Sequence, residues 1–140
     1  MKDLRQTIDE NFDSIRKLLD QGNYSGCSVM STDLITYSVM SDHSEGIFIG
    51  EVFESVFDQI GPLVQMYDIK DEQRNTIHRQ LSEQIASLAK SYNAGDKAGM
   101  YEALKGMRST ATRFQFDCWR TMKPRPEFGE LHVARRRISR

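Results

Sequence analysis

Three histidines, two cysteines and a run of acidic residues are the side chains of this sequence whose types could carry chemistry, and their spacing argues against most of it. A di-iron centre in a helical protein needs Glu-x-x-His pairs projecting into the core. His43, His78 and His132 are preceded at that interval by Met40, Asn75 and Gly129, none of them acidic. His78 falls at the edge of an apolar helix face, where a polar flank is expected rather than a general base. Cys27 and Cys118 stand far apart and match no spacing such as C-x-x-C, so they read as reduced, largely buried thiols. Glu51, Glu54 and Asp58 recur at i, i+3 and i+7 and could together hold a hard cation. On a helix, however, they lie about 140–200° from Ile49, opposite the apolar stripe, which predicts a solvated outer face. No Gly-rich phosphate loop, G-x-S-x-G elbow or Cys/His nucleophile pair occurs. The expectation is a protein that is not an enzyme, with no metal, no cofactor and no small-molecule ligand.

Two groups of residues remain as candidates. The first is Arg113-Phe-Gln-Phe-Asp-Cys-Trp-Arg120. Phe114 and Cys118 continue a core stripe, but Phe116 points about 150° away from it, between Arg113 and Arg120, with Trp119 on a flank. Apolar groups all round a helix need a cover. Either the chain's own tail supplies it through Phe128, Leu131 or Ile138, or a second subunit or another partner does. Arginine with aromatic residues is the mixture that protein interfaces favour, so Arg113, Phe116, Trp119 and Arg120 form the candidate interface. The second group is basic: Lys123, Arg125, Arg135, Arg136, Arg137 and Arg140. It could dock on an acidic protein surface or neutralise nucleic-acid phosphates. Arg-Arg-Ile-Ser139 also has the form of a kinase acceptor site, a pattern short enough to occur often by chance.

Helices must position both groups. Leu4, Ile8, Phe12, Ile15 and Leu19 keep a helical period, with Asp3 and Gln6 in the form of a capping box and Gly22 as a stop. Residues 27–40 are ambiguous between helix and strand. Helix is favoured, with Ser31 or Thr32 as its cap, because a lone strand would have no partner here. The most apolar stretch carries Ile49, Val52, Phe53, Val56, Phe57, Ile60, Leu63 and Val64 on a helix of about 45–69, capped by Asp42 or Ser44. Gly61-Pro62 should kink or restart it. Asp71 is expected to cap a helix of about 72–93, and Asp96 one of about 97–122, joined as an αα-hairpin. Pro124 and Pro126 follow, and Leu131, Ala134 and Ile138 fit either a short basic helix or an extended arm. The reading is an all-α, single-domain bundle of four to five helices over 1–122, with a basic arm at 123–140 on the bundle or a neighbouring subunit.

The totals agree. With 140 residues, 39% apolar and 28% charged, the chain can bury one core without disulfide or metal. No stretch approaches the about 18 apolar residues of a membrane span, and the charged start does not resemble a signal peptide, so the cytoplasm is expected. The net charge of −1 conceals a division: residues 1–72 hold 5 Lys/Arg against 14 Asp/Glu, residues 73–140 hold 14 against 6. Opposed halves suggest pairing within or between chains. A self-associating interaction protein, most simply a dimer, is therefore the first functional reading, and a nucleic-acid-binding or regulatory protein the second. An apolar ligand among Met100, Met107 and Phe53 is compatible with the pattern but not required by it.

Overall fold

The computed structural model describes residues 3–138, with side chains through Arg135, and every regular element among them is helical. The elements are α1 (Leu4–Asp20), α2 (Tyr24–Met40), α3 (Ser44–Met66), α4 (Asp71–Ala94), α5 (Lys97–Thr121), a 3₁₀ turn at Pro126–Phe128, and α6 (Gly129–Ile138). Around the core, α1 packs on α2 and α4, α2 on α3, α3 on α5, and α5 on α4. Five helices thus close a ring, buried groups such as Phe12, Phe57, Ile60, Leu81, Ile85 and Met107 fill it, and α6 leans on α5. Because α5 rather than α4 lies beside α3, those two neighbours run parallel: Gln59 bonds to Gln115, and Tyr67 pairs with Pro124 beyond the end of α5.

Local chemistry explains the ends. At α1 the Asp3 carboxylate accepts the Gln6 N–H at 2.8 Å while Gln6 Oε1 accepts the Asp3 N–H at 3.1 Å, the reciprocal box that the sequence predicts. Gly95 closes α4 at φ 68°, in the left-handed region that glycine reaches without strain. Three expected caps are replaced. α2 is capped by Asn23, whose Oδ1 accepts the Gly26 N–H at 2.8 Å, so Ser31 and Thr32 lie inside the helix. His43, not Asp42 or Ser44, precedes α3, and Asp42 forms the turn at φ 52°. Lys70 rather than Asp71 stands before α4, its N–H held by Gln73 Oε1 at 3.2 Å.

The ambiguous segment is helical throughout. Its buried positions, Tyr24, Cys27, Ser31, Leu34 and Ser38, alternate three and four apart, and two of the five are serines facing Gly46 and Gly50 of α3. Small groups on both helices bring the two backbones close together. α3 continues through Gly61-Pro62 to Met66 as one helix, so no fresh helix starts at Pro62. Pro62 is exposed near the helix end, so its missing N–H removes a single peripheral hydrogen bond.

Beyond α5 the chain turns back on the bundle. The Asp68 N–H donates to the Lys123 carbonyl at 3.0 Å and the Arg125 N–H to the Met66 carbonyl at 2.7 Å. α6 is a helix rather than an extended arm, and it docks by an edge the apolar pattern did not indicate. Leu131 and Ala134 stay exposed while His132 is buried, bonded through Nδ1 to the Tyr67 hydroxyl at 2.7 Å. Tyr67 is fully buried, and a buried hydroxyl needs a polar partner more than the site needs another apolar group. No helix among the described residues is long and apolar enough to cross a membrane.

Candidate interaction surface

The crest of α5 carries the candidate cluster. Phe116 is 38% exposed, its ring meets Trp119 edge-on at 5.6 Å, and the Arg120 guanidinium lies 5.6 Å from the Phe116 centroid. That cation–π contact holds the phenyl ring in place at solvent, where such pairs contribute about 0.5–1 kcal/mol. Trp119 belongs more to the body: it is half-buried against the core with Met122 and Phe128. Trp119 thus belongs to the margin of the core, whereas Phe116 stays open to solvent.

The structure adds residues that the sequence reading missed. Between α3 and α5 runs an open groove of about 670 Å³, floored by Val52 and Leu104 and edged by Phe48, Tyr101 and Phe116. Phe48 is 50% exposed and Tyr101 58%. Both sit about 110° off their helices' core stripes, the same signal that singled out Phe116. Lys105, Arg108, Arg113 and Arg120 also line the groove, and no acidic residue does. Lys105, Arg108 and Arg113 make no ion pair within 4.0 Å among the described residues.

The acidic run on α3 divides in use. Glu54 accepts the Thr32 hydroxyl at 2.6 Å and Asp58 the Ser28 hydroxyl at 2.7 Å, so both help seat α2. Glu51 is exposed and makes neither a hydrogen bond nor an ion pair among the described residues. No group of three His, Cys, Asp or Glu lies close enough among the described residues to hold a metal ion. Of the basic tail, Lys123 and Arg125 are exposed beside the bundle and Arg135 is half-buried on α6. Arg136 and Arg137 are described in backbone only, and Arg140 lies outside the described residues.

The titratable groups inside the fold are arranged as staples. All three histidines meet a tyrosine hydroxyl: His43 Nε2 and Tyr92 at 3.0 Å, His132 and Tyr67, and His78 Nε2 and Tyr24. His78 is thus a buried partner rather than a polar flank. Burial, then the nearby Arg74 guanidinium, lowers the His78 pKa below its usual 6.5, with Asp20 opposing. Burial likewise raises the Tyr24 hydroxyl, so Tyr24 keeps its proton beside the His78 ring. Protonating His78 would set a second cation beside Arg74. Because the folded value is depressed, the staple's contribution is fully present above pH 6.5 and is lost as pH falls through the folded value. Urea midpoints at pH 7.5 and 5.0 should show wild type losing more stability than His78→Gln on acidification, and equal losses would remove His78 from this role. Burial also pushes both Cys27 and Cys118 up to about 12, helped at Cys118 by Asp117, so neither offers a thiolate near neutrality.

The α3/α5 face thus brings together aromatic edges, an apolar floor and a row of basic side chains. No protein-family model, curated protein or solved structure matches the chain.

Proposed function

We propose that this is a non-catalytic, cytoplasmic interaction protein that self-associates as a dimer through α5, with the basic C-terminal segment extending the contact. The observation that carries this reading is the α3/α5 face, where exposed Phe48, Tyr101 and Phe116 border a groove in which Lys105, Arg108 and Arg113 make no ion pair among the described residues. Burying three aromatic side chains supplies the apolar anchor that stable interfaces need, and the charges supply orientation. Lys123 and Arg125, exposed just past α5, lengthen the basic side. The buried thiols and the tyrosine-bound histidines support a non-catalytic role, since the groups best suited to nucleophilic or acid–base work are committed to packing.

Light scattering on the full chain tests it. Wild type should give twice the 16.2 kDa of one chain, and Phe116→Asp should weaken the dimer by about 30-fold or more. A wild-type protein that stays at 16.2 kDa at every concentration overturns the reading.

A second reading is favoured by one feature: a groove with four cations and aromatic faces is also a platform for single-stranded nucleic acid. Glu51 and Asp58 on the neighbouring crest of α3 weigh against phosphate binding, which ranks this reading second. Excess absorbance at 260 nm that salt strips from a monomer would reverse the order.

A further inference from the structure

The partner that fits this face can be read from how charge is distributed across it. The wall formed by α5 is basic, through Lys105, Arg108 and Arg113, whereas the outer crest of α3 is acidic, through Glu51 and Asp58. Between them lies the seam of Phe48, Tyr101 and Phe116. A face with one acidic edge, one basic edge and an apolar middle complements itself when turned over about its long axis.

The heights of these groups match as well. α3 and α5 run parallel and in step, with Gln59 beside Gln115, Tyr67 beside Pro124, and Phe48 sharing a pocket with Tyr101 and Leu104. On that register Glu51 stands level with Lys105 and Arg108, and Asp58 level with Arg113. A two-fold axis parallel to the helices exchanges the two edges and leaves every height unchanged. It therefore lays α3 of one copy along α5 of the other. Glu51 then meets Lys105 and Arg108 of the second copy, Asp58 meets its Arg113, and the aromatic seams close on each other.

We infer that the occupant of the α3/α5 groove is a second copy of this chain, seated by a two-fold axis parallel to the groove so that the acidic crest of α3 pairs with the basic wall of α5 across the interface. The inference rests on the reading of this face as self-associating and adds its register. A two-fold interface makes each contact twice, so both charge pairings form on both sides of the seam. At close range opposite charges mainly select the partner and its orientation, while like charges set face to face are repelled. The two charged edges thereby become the determinants of specificity.

Charge reversal on the full-length chain tests this, with mass read by light scattering. Lys105→Glu/Arg108→Glu/Arg113→Glu sets acidic against acidic and should be monomeric. Glu51→Lys/Asp58→Lys sets basic against basic and should also be monomeric. Mixed in equal amounts, the two variants should recover a species of twice 16.2 kDa, because each edge then meets its opposite. That recovery also shows that both variants are folded. If wild type is dimeric and both reversed variants stay dimeric alone, the register is wrong while self-association stands. Two monomers that do not combine, each helical by circular dichroism, also overturn the register. If wild type itself is monomeric, the underlying reading falls and this inference with it.

Discussion

Phe53→Ala is expected to cost about 3–5 kcal/mol of stability, enough to lower the melting temperature by about 10 °C or more. Phe53 has 0% exposure, and its ring packs against Phe12 of α1 at 5.8 Å and Phe57 of α3 at 6.2 Å. Phe53 thus ties α3 to α1 across the inside of the ring. Truncating it removes the transfer free energy of a phenyl ring, and it leaves a cavity between helices that their caps and hydrogen bonds hold apart. A total stability of about 5–15 kcal/mol makes that loss a large fraction of the whole. Urea denaturation read by circular dichroism measures it. Phe116→Ala is the matched comparison: the same chemical change on an exposed crest should cost about 1 kcal/mol in the monomer, the scale of the Arg120 cation–π contact it removes. A loss at Phe53 below about 1.5 kcal/mol would mean that α3 is not the centre of the core.

That contrast shows how far periodicity alone could go. Phe53 and Phe116 are both phenylalanines on long apolar helices, and their angles to the core stripe separated one from the other. The same arithmetic placed α1, α3, α4 and α5, because each keeps one dense stripe through at least four turns. It failed to settle α2, where Val29, Val39 and Met40 face solvent while Ser31 and Ser38 are buried. Polarity is inverted there for a steric reason: α3 offers glycines opposite, and only small groups fit between the two backbones. A pattern written in size rather than hydropathy leaves no periodic signal. The caps of α3 and α4 were misplaced by one residue for a related reason, since several polar residues near each of those helix starts are competent and tertiary partners choose among them. His43 is the clearest case, standing before α3 while its ring reaches Tyr92.

Half of the candidate surface was legible. Phe116 with its arginines stood out because it broke its own helix's stripe. Phe48 and Tyr101 break theirs less sharply, each is a single residue on a helix otherwise explained, and only the adjacency of α3 and α5 makes them neighbours. That adjacency comes from the order of helices around the ring, which depends on contacts far apart in sequence. The tail misled for another reason. Its apolar residues suggested the docking edge, whereas the docking edge is set by Tyr67, a buried hydroxyl more than sixty residues earlier.

The largest effect expected from adding atoms rather than removing them is at Gly50. A Cβ there would lie 2.5 Å from Ile35 Cγ1, 3.1 Å from the Ser31 carbonyl oxygen and 3.2 Å from the Ile35 nitrogen. The first contact could be relieved by turning a side chain, but the other two are to backbone, so α2 itself must move away from α3. Gly50→Val should therefore cost about 3 kcal/mol, overriding any gain in helix propensity. Movement of α2 would also pull Ser28 and Thr32 from Asp58 and Glu54, leaving those carboxylates to water. Gly106→Ala on α5 separates the steric cause from the loss of a glycine as such. Its Cβ would meet only the flexible end of Gln84, at 3.2 Å, so the propensity gain of about 0.5–1 kcal/mol should survive and the melting temperature should rise. Opposite signs at two glycines inside helices would mark the α2/α3 contact as the closest approach in the ring. Stabilisation at both positions would instead show that α2 has room to spare, and the two buried serines on its inner face would then lack a reason to be small.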